Sequence, residues 1–490
     1  MEILSKKIRT KKTAKIKIRQ FGEGNFLRAF VDWLIQKRND SGKYSGHVVV
    51  VQPLPFGRIE DLKKQDYLYT LILQGINEKG EAVKTHEVID VIDDCVNPYT
   101  DFKKYLSYAE SKDLEVVISN TTEAGIHYEE GDTKLDLSKD TPVSYPGKLL
   151  ALLKHRYETL GKDYGLAIIP CELIDDNGIH LKECVLKQAD NWNLEDSFKK
   201  WVNEACIFTS TLVDRIITGY PREEDKKLWE EWGYRDELIV TGEPFALWVI
   251  ESEKDIRGEF PLDKAGLPVI FTDNQKPYKQ RKVRILNGAH TSFVLASYLA
   301  GNDTVLESMK DELIYKFMRS TIFDEVIPTL SLPEKDLVDF AEAVTTRFNN
   351  PYVKHALLSI SLNSVSKWRA RCMPSFLGYI DKTGTLPKHL TFSLAALMAF
   401  YQGTEIRDKA LIGHRNGEEY NIMDDDAVLK YFAANSTKPS KEFAHGFLSN
   451  TAFFGQNLTQ IEGLEDTVAA YLDEIANKGM RKTMEDNFRS

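Results

Sequence analysis

The sequence predicts an α/β protein: a doubly wound, largely parallel sheet in the N-terminal part and a mainly α-helical C-terminal domain. Up to about residue 275, short apolar runs alternate with helical or polar stretches, as strands do when helices cover both faces of a parallel sheet. These runs are Val48–Val51, Leu68–Leu73, Val88–Ile92, Val116–Ile118 and Leu166–Ile169. Beyond about residue 280, apolar residues recur at helical spacing. The two clearest stripes are Val305, Met309, Leu313, Phe317 and Leu464, Val468, Leu472, Ile475.

The first element combines a strand, a tight turn and a helix. Isoleucines alternate with polar residues, two glycines follow, and apolar residues then recur at helical spacing. Such a turn fits a dinucleotide pyrophosphate, because Gly22 permits the reversal and Gly24 leaves room for the phosphates. Asn25 is expected to cap the helix. Leu27 replaces the third glycine of the usual fingerprint, so a corner without a ligand fits the pattern about equally well.

Ligands of doubly wound sheets bind at the carboxyl ends of the strands. This rule brings together the glycine turn, the Gln52-Pro53 turn and the segment Ser119–Gly125. The residues expected to contact a dinucleotide at this edge are Phe21, Gly22, Gly24, Asn25, Phe26, Asn120, Thr121 and Glu123. The segment is therefore interpreted as a Rossmann-like dinucleotide site.

The second strand leaves the choice of dinucleotide open. An NAD site usually presents Asp or Glu after this strand, where the carboxylate binds the ribose hydroxyls. Here the strand runs into Gln52–Arg58 without a carboxylate at its tip. Arg58 could accept the 2′-phosphate of NADP, while Glu60 and Asp61 could serve the hydroxyls of NAD from farther along.

A polar stretch that ends in a proline, Thr272–Pro277, is the boundary candidate between two domains. We expect a dinucleotide-binding domain over residues 1–278 and a substrate-binding, catalytic domain over residues 279–490. The longest apolar run, Leu390–Tyr401, is too short and interrupted to span a bilayer, and it predicts a buried core helix.

Composition limits the classes of function. The 490 residues carry a net charge of −10, which argues against a general binder of nucleic acid or acidic membranes. The basic run at residues 6–17 is expected to be a solvated arm, and no apolar signal segment follows it, so a cytoplasmic location is expected. Five scattered cysteines suit reduced thiols, and ten histidines form no close ligand cluster, so no metal is expected. The oligomeric state stays open.

The run Lys282–His290 gathers an amine, a carboxamide and an imidazole. Such groups can protonate a carbonyl oxygen while the carbon receives a hydride. Lys282 would be the general acid if its pKa lies near neutrality, His290 would orient the amine, and Asn287 would donate a hydrogen bond to the oxyanion. Taken alone, such residues are more often a solvated helix end, a cap and a core histidine.

Four motifs, in this order, resemble the mannitol dehydrogenase family of polyol-specific long-chain dehydrogenases. They are Phe21–Trp33, Val213–Ile216, Glu243–Glu251, and Lys282 with Asn287–His290. The resemblance implies a zinc-independent enzyme with a Rossmann domain and an all-α C-terminal domain that reduces a small keto-sugar acid with NADH. Within this family, the resemblance of the first motif and of Pro170–Gly178 implies reduction of D-tagaturonate to D-altronate. Fructuronate or a mannitol-type polyol is the alternative substrate.

The resemblance also assigns roles to residues. The family's catalytic lysine falls on Lys282, its oxyanion donor on Asn287 and the neighbouring histidine on His290. The aspartate close to cofactor and substrate falls on Asp214, and the lysine of the substrate pocket falls on Lys367.

Two departures from the family pattern concern the substrate pocket. The family's Cys-Asp-Asn run supplies a second asparagine to the oxyanion, and this chain has Cys171-Glu172-Leu173 in its place. Either Asn177 takes over this role, or one asparagine is sufficient. The pocket arginine is replaced by Ser359. A uronate carries a carboxylate that mannitol lacks, so the pocket should offer an extra cation. The candidates are Lys367, Arg369, Arg371 and Arg284, of which Lys367 and Arg371 are expected to bind substrate.

A hypothesis from a different class is a nucleotide-binding or scaffolding protein without turnover, whose basic N-terminal arm contacts RNA. The net negative charge argues against it. A protein without turnover also has no need of the amine, carboxamide and imidazole at their observed spacing.

Overall fold

The computed structural model describes residues 1–77, 79–134 and 140–489, and the chain divides into two compact units. The first unit holds Met1–Gln74 and Val83–Gln275, and the second holds Gly75–Ala82 and Lys276–Ser490. The first is an α/β unit and the second is mainly helical, which confirms the predicted fold class.

In the part of the chain that the structure describes, thirteen strands belong mainly to the first unit. They are β1 Ile16–Phe21, β2 His47–Val51, β3 Tyr69–Ile76, β4 Ala82–Ile89, β5 Ile92–Val96, β6 Val116–Ser119, β7 Ala167–Pro170, β8 Ile207–Phe208, β9 Ser210–Asp214, β10 Ile217–Gly219, β11 Val240–Gly242, β12 Leu247–Glu251 and β13 Val269–Thr272. Six of them form a parallel sheet in the order β5-β2-β1-β6-β7-β8. Counted along the chain, these six strands have the order 3-2-1-4-5-6, which reverses between β1 and β6 as in dinucleotide-binding sheets.

Both faces of this sheet are buried, which explains the continuous apolar runs Val48–Val51, Val116–Ile118 and Leu166–Ile169. Ile18, Val50 and Ile118 pack into the core on one face. Val51 and Val117 pack into the core on the other face. Because successive side chains of a strand point to opposite faces, helices on both faces bury every position of such a run.

Within the described residues of the first unit there are eight α-helices. They are α1 Asn25–Ala29, α2 Val31–Asp40, α3 Ile59–Lys64, α4 Phe102–Ser107, α5 Tyr145–Leu160, α6 Asn177–Asn191, α7 Asp196–Glu204 and α8 Asp225–Trp232. Short 3₁₀ turns cover Tyr108–Glu110 and Glu130–Lys134. Two smaller sheets have the orders β10-β11-β3-β4 and β13-β12-β9.

Two details of the first unit differ from the sequence-based expectation. The run Val88–Ile92 is not one strand, because β4 ends at Ile89 and β5 begins at Ile92; between them the Asp90 N–H donates to the Gln36 side chain at 2.8 Å instead of to a neighbouring strand. The basic N-terminal run is only partly solvated. The Lys11 side chain is 6% exposed and lies 3.1 Å from Asp93, so this ion pair ties the run to the sheet.

Fourteen helices and two π-helical segments make up most of the second unit. The helices are α9 Lys276–Arg281, α10 Gly288–Leu299, α11 Val305–Lys310, α12 Glu312–Ser320, α13 Glu334–Phe348, α14 Leu357–Ile360, α15 Ser364–Arg371, α16 Met373–Thr383, α17 Lys388–Phe400, α18 Asp426–Asn435, α19 Ser440–Leu448, α20 Thr451–Phe454, α21 Leu464–Lys478 and α22 Met480–Phe488. The π-helical segments are Lys282–Asn287 and Thr321–Val326, and 3₁₀ turns cover Ile327–Thr329 and Leu458–Gln460. Helix α17 is buried from Leu390 to Phe400, which confirms the predicted core helix. In the described part of the chain, no helix combines the length and apolarity needed to cross a membrane.

The second unit is not all-α, which corrects the expectation drawn from the family resemblance. An antiparallel sheet is formed by β14 Ile406–Arg407, β15 Ala410–Arg415 and β16 Glu418–Ile422. The turn between β15 and β16 is Asn416-Gly417, and both residues have positive φ (54° and 86°). Asn-Gly is the preferred pair for a two-residue hairpin turn, because both positions require a left-handed backbone.

Candidate active site

The turn after β1 lies where the strand order of the large sheet reverses. The Gly22 N–H donates to the Val51 carbonyl at 2.9 Å, and the Asn120 N–H donates to the Phe21 carbonyl at 3.1 Å. Gly22 has φ of +120°, and a Cβ there would lie 3.1 Å from the Asn120 carbonyl oxygen. Both the backbone conformation and the close approach of the next strand therefore require glycine at this position.

At position 24, neither the backbone conformation nor the packing of the described protein atoms requires glycine. Gly24 has an ordinary φ of −68°, and a Cβ placed on it would meet no described protein atom within 4 Å. The space in front of Gly24 is open, as the close approach of a phosphate requires. The turn thus fits a dinucleotide pyrophosphate.

Around this turn the structure corrects the predicted helix cap and gives the surroundings of two further expected cofactor residues, Phe21 and Phe26. Asn25 does not cap α1: it is the first helical residue, and its Oδ1 accepts a hydrogen bond from Arg28 at 2.8 Å. The Phe21 side chain is fully buried with its ring 4.8 Å from that of Tyr145, so only its main chain faces the site. Phe26 is partly buried and stacks on Phe30 at 5.0 Å between ring centroids.

The loop after β6 is held by the carboxylate of Glu172, a residue that the sequence alone marked only as a departure from the family pattern. Glu172 accepts hydrogen bonds from the Thr121 N–H (2.8 Å), the Thr121 hydroxyl (2.9 Å) and the Ser119 hydroxyl (3.1 Å). Asn120 donates to the Cys171 carbonyl at 2.9 Å. Burial raises the pKa of Glu172. The side chains of Asn120 and Thr121 therefore hold the loop in place, while Glu123 on the same loop is exposed.

Asn177 does not supply a second oxyanion donor, which corrects its assignment to the substrate. The side chain is fully buried at the start of α6. Its Nδ2 donates to the carbonyls of Pro170 (3.2 Å), Glu172 (3.0 Å) and Thr211 (3.4 Å), and its Oδ1 accepts from the Thr211 N–H (2.9 Å). Both the nitrogen and the oxygen of this amide form hydrogen bonds that join β7, α6 and β9, so Asn177 is a structural residue.

Asp214 ends β9 and is buried, and its neighbour Arg215 contacts residues of two further family-like motifs. The Arg215 guanidinium donates to the carbonyls of Ala29, Phe245 and Pro244 at 2.6–3.1 Å and lies 4.0 Å from the Trp33 ring. Burial lowers the pKa of Arg215 to about 9. This arginine of the second motif therefore joins the end of α1, in the first motif, to the start of the third motif.

In the second unit, a π-helical segment positions the proposed catalytic residues. Helix α9, the segment Lys282–Asn287 and helix α10 follow one another without a break. At 3.6 residues per turn, residues five apart would be separated by roughly 140° around the helix. The i→i+5 hydrogen bonding of a π-helix instead brings them to one face, and such segments are frequent at functional sites. The segment therefore places Lys282 and Asn287, both partly buried, on a common face.

His290 follows one helical turn after Asn287 and is neutral. Burial, and then the positive charges of His355, Arg347, Arg371 and Lys367, lower the pKa of His290 well below its ordinary value. Its Nε2 is buried and has no hydrogen-bond partner in the described part of the chain, so the expected bond to the Lys282 amine is not formed. The ring packs 4.2 Å from Phe348 and 5.3 Å from His355.

Lys367 and Arg371 lie one turn apart on α15, near His290. Arg371 donates weakly to the Thr291 hydroxyl (3.4 Å), and Lys367 donates to the Ile360 carbonyl (2.9 Å). Neither forms an ion pair with a carboxylate of the described residues, and both are partly buried. Burial lowers the pKa of each; for Lys367 the neighbouring Arg371 adds to the effect and the Asp424 carboxylate opposes it. Two partly desolvated cations that form no ion pair with a described carboxylate are a suitable site for an anion.

The other candidate residues for the substrate carboxylate lie elsewhere. Arg369 is exposed and lies against Gly455. Arg284 points to the Thr329 carbonyl at 3.4 Å. Ser359 is exposed and bonds locally to the Ala356 carbonyl at 2.7 Å. None of the described His, Cys, Asp or Glu residues form a group of three that could hold a metal.

The neutral state of His290 predicts an acid-dependent loss of stability. The pKa of this histidine is lower in the folded protein than the value of 6.5 in the unfolded chain. Above pH 6.5 the imidazole is neutral in both states and costs no stability. As the pH falls below 6.5, only the unfolded chain binds the proton, so the free energy of unfolding decreases. One unit below, at pH 5.5, the loss is about 1.4 kcal/mol. Urea unfolding at pH 7.5 and 5.5 should show a smaller acid effect in His290→Gln than in the wild type. The exposed hairpin variant His414→Gln should retain the full effect; equal losses in all three proteins would contradict the assignment.

Comparison with known proteins gives consistent matches over nearly the whole chain. The model of the mannitol dehydrogenase Rossmann domain matches residues 16–264, and that of the mannitol dehydrogenase C-terminal domain matches residues 274–476. Altronate oxidoreductases of Escherichia coli O7:K1 and Shigella flexneri are each 46% identical over 477 residues, which are 96% of this chain and 96% of each relative.

Two solved structures share the fold. A D-sorbitol dehydrogenase in substrate-free form has a TM-score of 0.81 and 21% identity, covering 98% of this chain and 100% of that one. The mannitol 2-dehydrogenase of Pseudomonas fluorescens, solved as a ternary complex with NAD and D-mannitol, has a TM-score of 0.68 and 22% identity, with full coverage of both chains.

Proposed function

The chain belongs to the mannitol dehydrogenase family, and we propose that it interconverts D-tagaturonate and D-altronate with NAD(H). It is an oxidoreductase acting on CH–OH groups. The observation that carries the choice of substrate is the near full-length likeness to altronate oxidoreductases. The unpaired cations Lys367 and Arg371 support it, since they suit a sugar acid better than a neutral polyol.

NADH, when bound, supplies the hydride that reduces the substrate carbonyl carbon. The chain's own residues provide for its binding: Gly22 makes the turn at the reversal of strand order, and Gly24 leaves the opening for the phosphates. Glu172 holds the neighbouring loop rigid through Ser119 and Thr121. A rigid loop keeps the site preorganised.

Lys282 donates the proton that the substrate oxygen takes up, and it withdraws the proton in the oxidative direction. Asn287 donates a hydrogen bond to the same oxygen, because the π-helical segment puts its carboxamide on the face that carries Lys282. Neutral His290 offers its buried Nε2 to a substrate hydroxyl or to the Lys282 amine. This division of roles needs no metal ion.

Arg371 binds the substrate carboxylate, and Lys367 assists. Loss of the Arg371 charge should therefore raise KM for tagaturonate by about 10- to 100-fold, the effect of hydrogen bonds to a charged group. The measurement compares Arg371→Met with the wild type on tagaturonate and on fructose, a ketose without a carboxylate. The matched control is Arg369→Met, two residues earlier on the same helix and exposed. If KM rose equally for tagaturonate and fructose, Arg371 would have a structural role and would not bind the substrate carboxylate.

The test of the function itself is a panel of NADH oxidation rates. Tagaturonate, fructuronate and fructose are each offered with NADH and with NADPH. The proposal expects the highest kcat/KM for tagaturonate with NADH. Preference for fructuronate would keep the reaction class and replace the substrate, and failure to oxidise NADH with any of the three would overturn the proposed function.

A further inference from the structure

The tip of β2 has no acidic residue of its own, but a carboxylate reaches it from the glycine turn. Glu23 lies between Gly22 and Gly24, and its Oε1 accepts a hydrogen bond from the Arg58 N–H at 3.3 Å. Arg58 closes the loop that follows β2. The side chain of Glu23 therefore crosses from the end of β1 to the end of β2.

Gly57 shows how closely this carboxylate lies on the loop. A Cβ placed on Gly57 would be 2.1 Å from Glu23 Oε1 and 2.5 Å from Gln52 Oε1. The φ of Gly57 is not in the left-handed region, so the backbone conformation does not require glycine here. What requires it is the space that the Glu23 carboxylate and the Gln52 amide occupy.

The neighbouring polar residues are engaged elsewhere. Gln52 is 2% exposed and donates to the Leu54 carbonyl at 3.0 Å. Asp61 pairs with Arg58 at 3.2 Å and with Lys64 at 3.1 Å, and Glu60 pairs with Lys63 within α3. Among the residues that the structure describes, Glu23 is thus the carboxylate that faces this strand tip.

The same loop carries an apolar surface. Phe56 is 76% exposed and Leu54 is 50% exposed, although both are large hydrophobic residues. An apolar surface next to a single carboxylate matches the adenosine half of a dinucleotide, which has a flat base and a ribose with two vicinal hydroxyls.

From this arrangement we infer that Glu23 binds the 2′- and 3′-hydroxyls of the adenosine ribose and makes the enzyme select NAD(H) over NADP(H). The inference rests on the proposed function for the presence of a dinucleotide. A carboxylate accepts hydrogen bonds from both hydroxyls, whereas it repels the 2′-phosphate of NADP.

Arg58 does not reverse this preference. Its Nε donates to Asp61, which Lys64 also contacts, and its Nη2 donates to the Glu237 carbonyl at 3.1 Å, so two of its donor groups are already engaged. Burial raises the pKa of Glu23, and the Arg58 N–H and the charges of Arg28 and Arg58 counteract this effect. The partly desolvated position strengthens both the hydroxyl contact and the repulsion of phosphate.

The test measures cofactor binding without substrate. NADH and NADPH are titrated into the full-length wild type and into Glu23→Gln, and nicotinamide fluorescence gives the Kd of each. We expect the Kd for NADH to rise by about 10- to 100-fold and the Kd for NADPH to fall. Glu60→Gln on α3 is the matched control and should leave both Kd values unchanged.

Two further variants keep the inference testable if Glu23→Gln folds poorly. Glu23→Asp shortens the side chain and should weaken NADH binding while still excluding NADPH. Gly57→Ala displaces the carboxylate and should shift the ratio of the two Kd values in the direction of Glu23→Gln. An unchanged ratio in folded Glu23 variants would overturn the inference, whereas a wild type that binds NADH but does not reduce tagaturonate would overturn only the proposed substrate. Binding of neither dinucleotide by the wild type would overturn both.

Discussion

Replacement of Lys282 by alanine should lower kcat by about 10³- to 10⁵-fold, because it removes both the proton donor and the cation beside the developing alkoxide. The Kd for NADH should change by less than about twofold, since the dinucleotide turn belongs to the other unit of the chain. Single-turnover reduction of tagaturonate and fluorescence titration of NADH measure the two quantities separately.

Two control variants separate the roles of the Lys282 ammonium. Lys282→Arg keeps a positive charge but cannot release a proton at neutral pH, so it should remain nearly as slow as alanine. Lys310→Ala removes an exposed lysine at the end of α11 and should keep wild-type kcat. If Lys282→Arg restored most of the turnover, charge alone would matter and the proton-transfer role would be wrong.

Replacement of Asn287 by alanine should lower kcat by about 10²- to 10³-fold, the usual effect of losing one oxyanion donor. KM for tagaturonate should change little, because the hydrogen bond strengthens only as charge develops on the substrate oxygen. The measurement is steady-state kinetics in both reaction directions. Both directions pass through the same alkoxide-like state, so loss of a donor to that state should slow reduction and oxidation alike.

The control for Asn287→Ala is Gln280→Ala, which removes an exposed amide from α9 on the same continuous helix. It should leave kcat and KM unchanged. A rise in KM at constant kcat in Asn287→Ala would instead assign the carboxamide to ordinary substrate binding, and the oxyanion role would then belong to another donor.

The sheet could be predicted because its cause is local and repetitive. Strands such as β2 and β6 are buried on both faces, and this burial leaves continuous apolar runs in the sequence. The hairpin of β15 and β16 carried an equally local signal in Asn416-Gly417, and it was missed because helical stripes dominate the surrounding sequence. The break between β4 and β5 at Asp90 could not be predicted, since it depends on a hydrogen bond that the Asp90 N–H donates to Gln36, 54 positions earlier in the chain.

The candidate site likewise contains residues that could be predicted from local sequence and residues whose roles depend on distant parts of the chain. Lys282, Asn287 and His290 lie within nine residues, so the chemistry of one segment was sufficient to select them. Glu172 and Asn177 could not be interpreted correctly from the sequence, because their hydrogen-bond partners lie up to 53 residues away in the chain. For such buried polar residues, the fold decides whether the side chain binds a ligand or joins two strands.

The π-helical segment also changes what counts as a diagnostic motif for this type of enzyme. A helix of uniform pitch would need its amine and carboxamide three or four positions apart to act on one atom, whereas here they are five apart. Removal of a single residue between them would restore uniform pitch and leave the two groups four positions apart, still on one face. A genome survey for this chemistry should therefore accept an interval of four in a regular helix as well as the interval of five that separates Lys282 from Asn287.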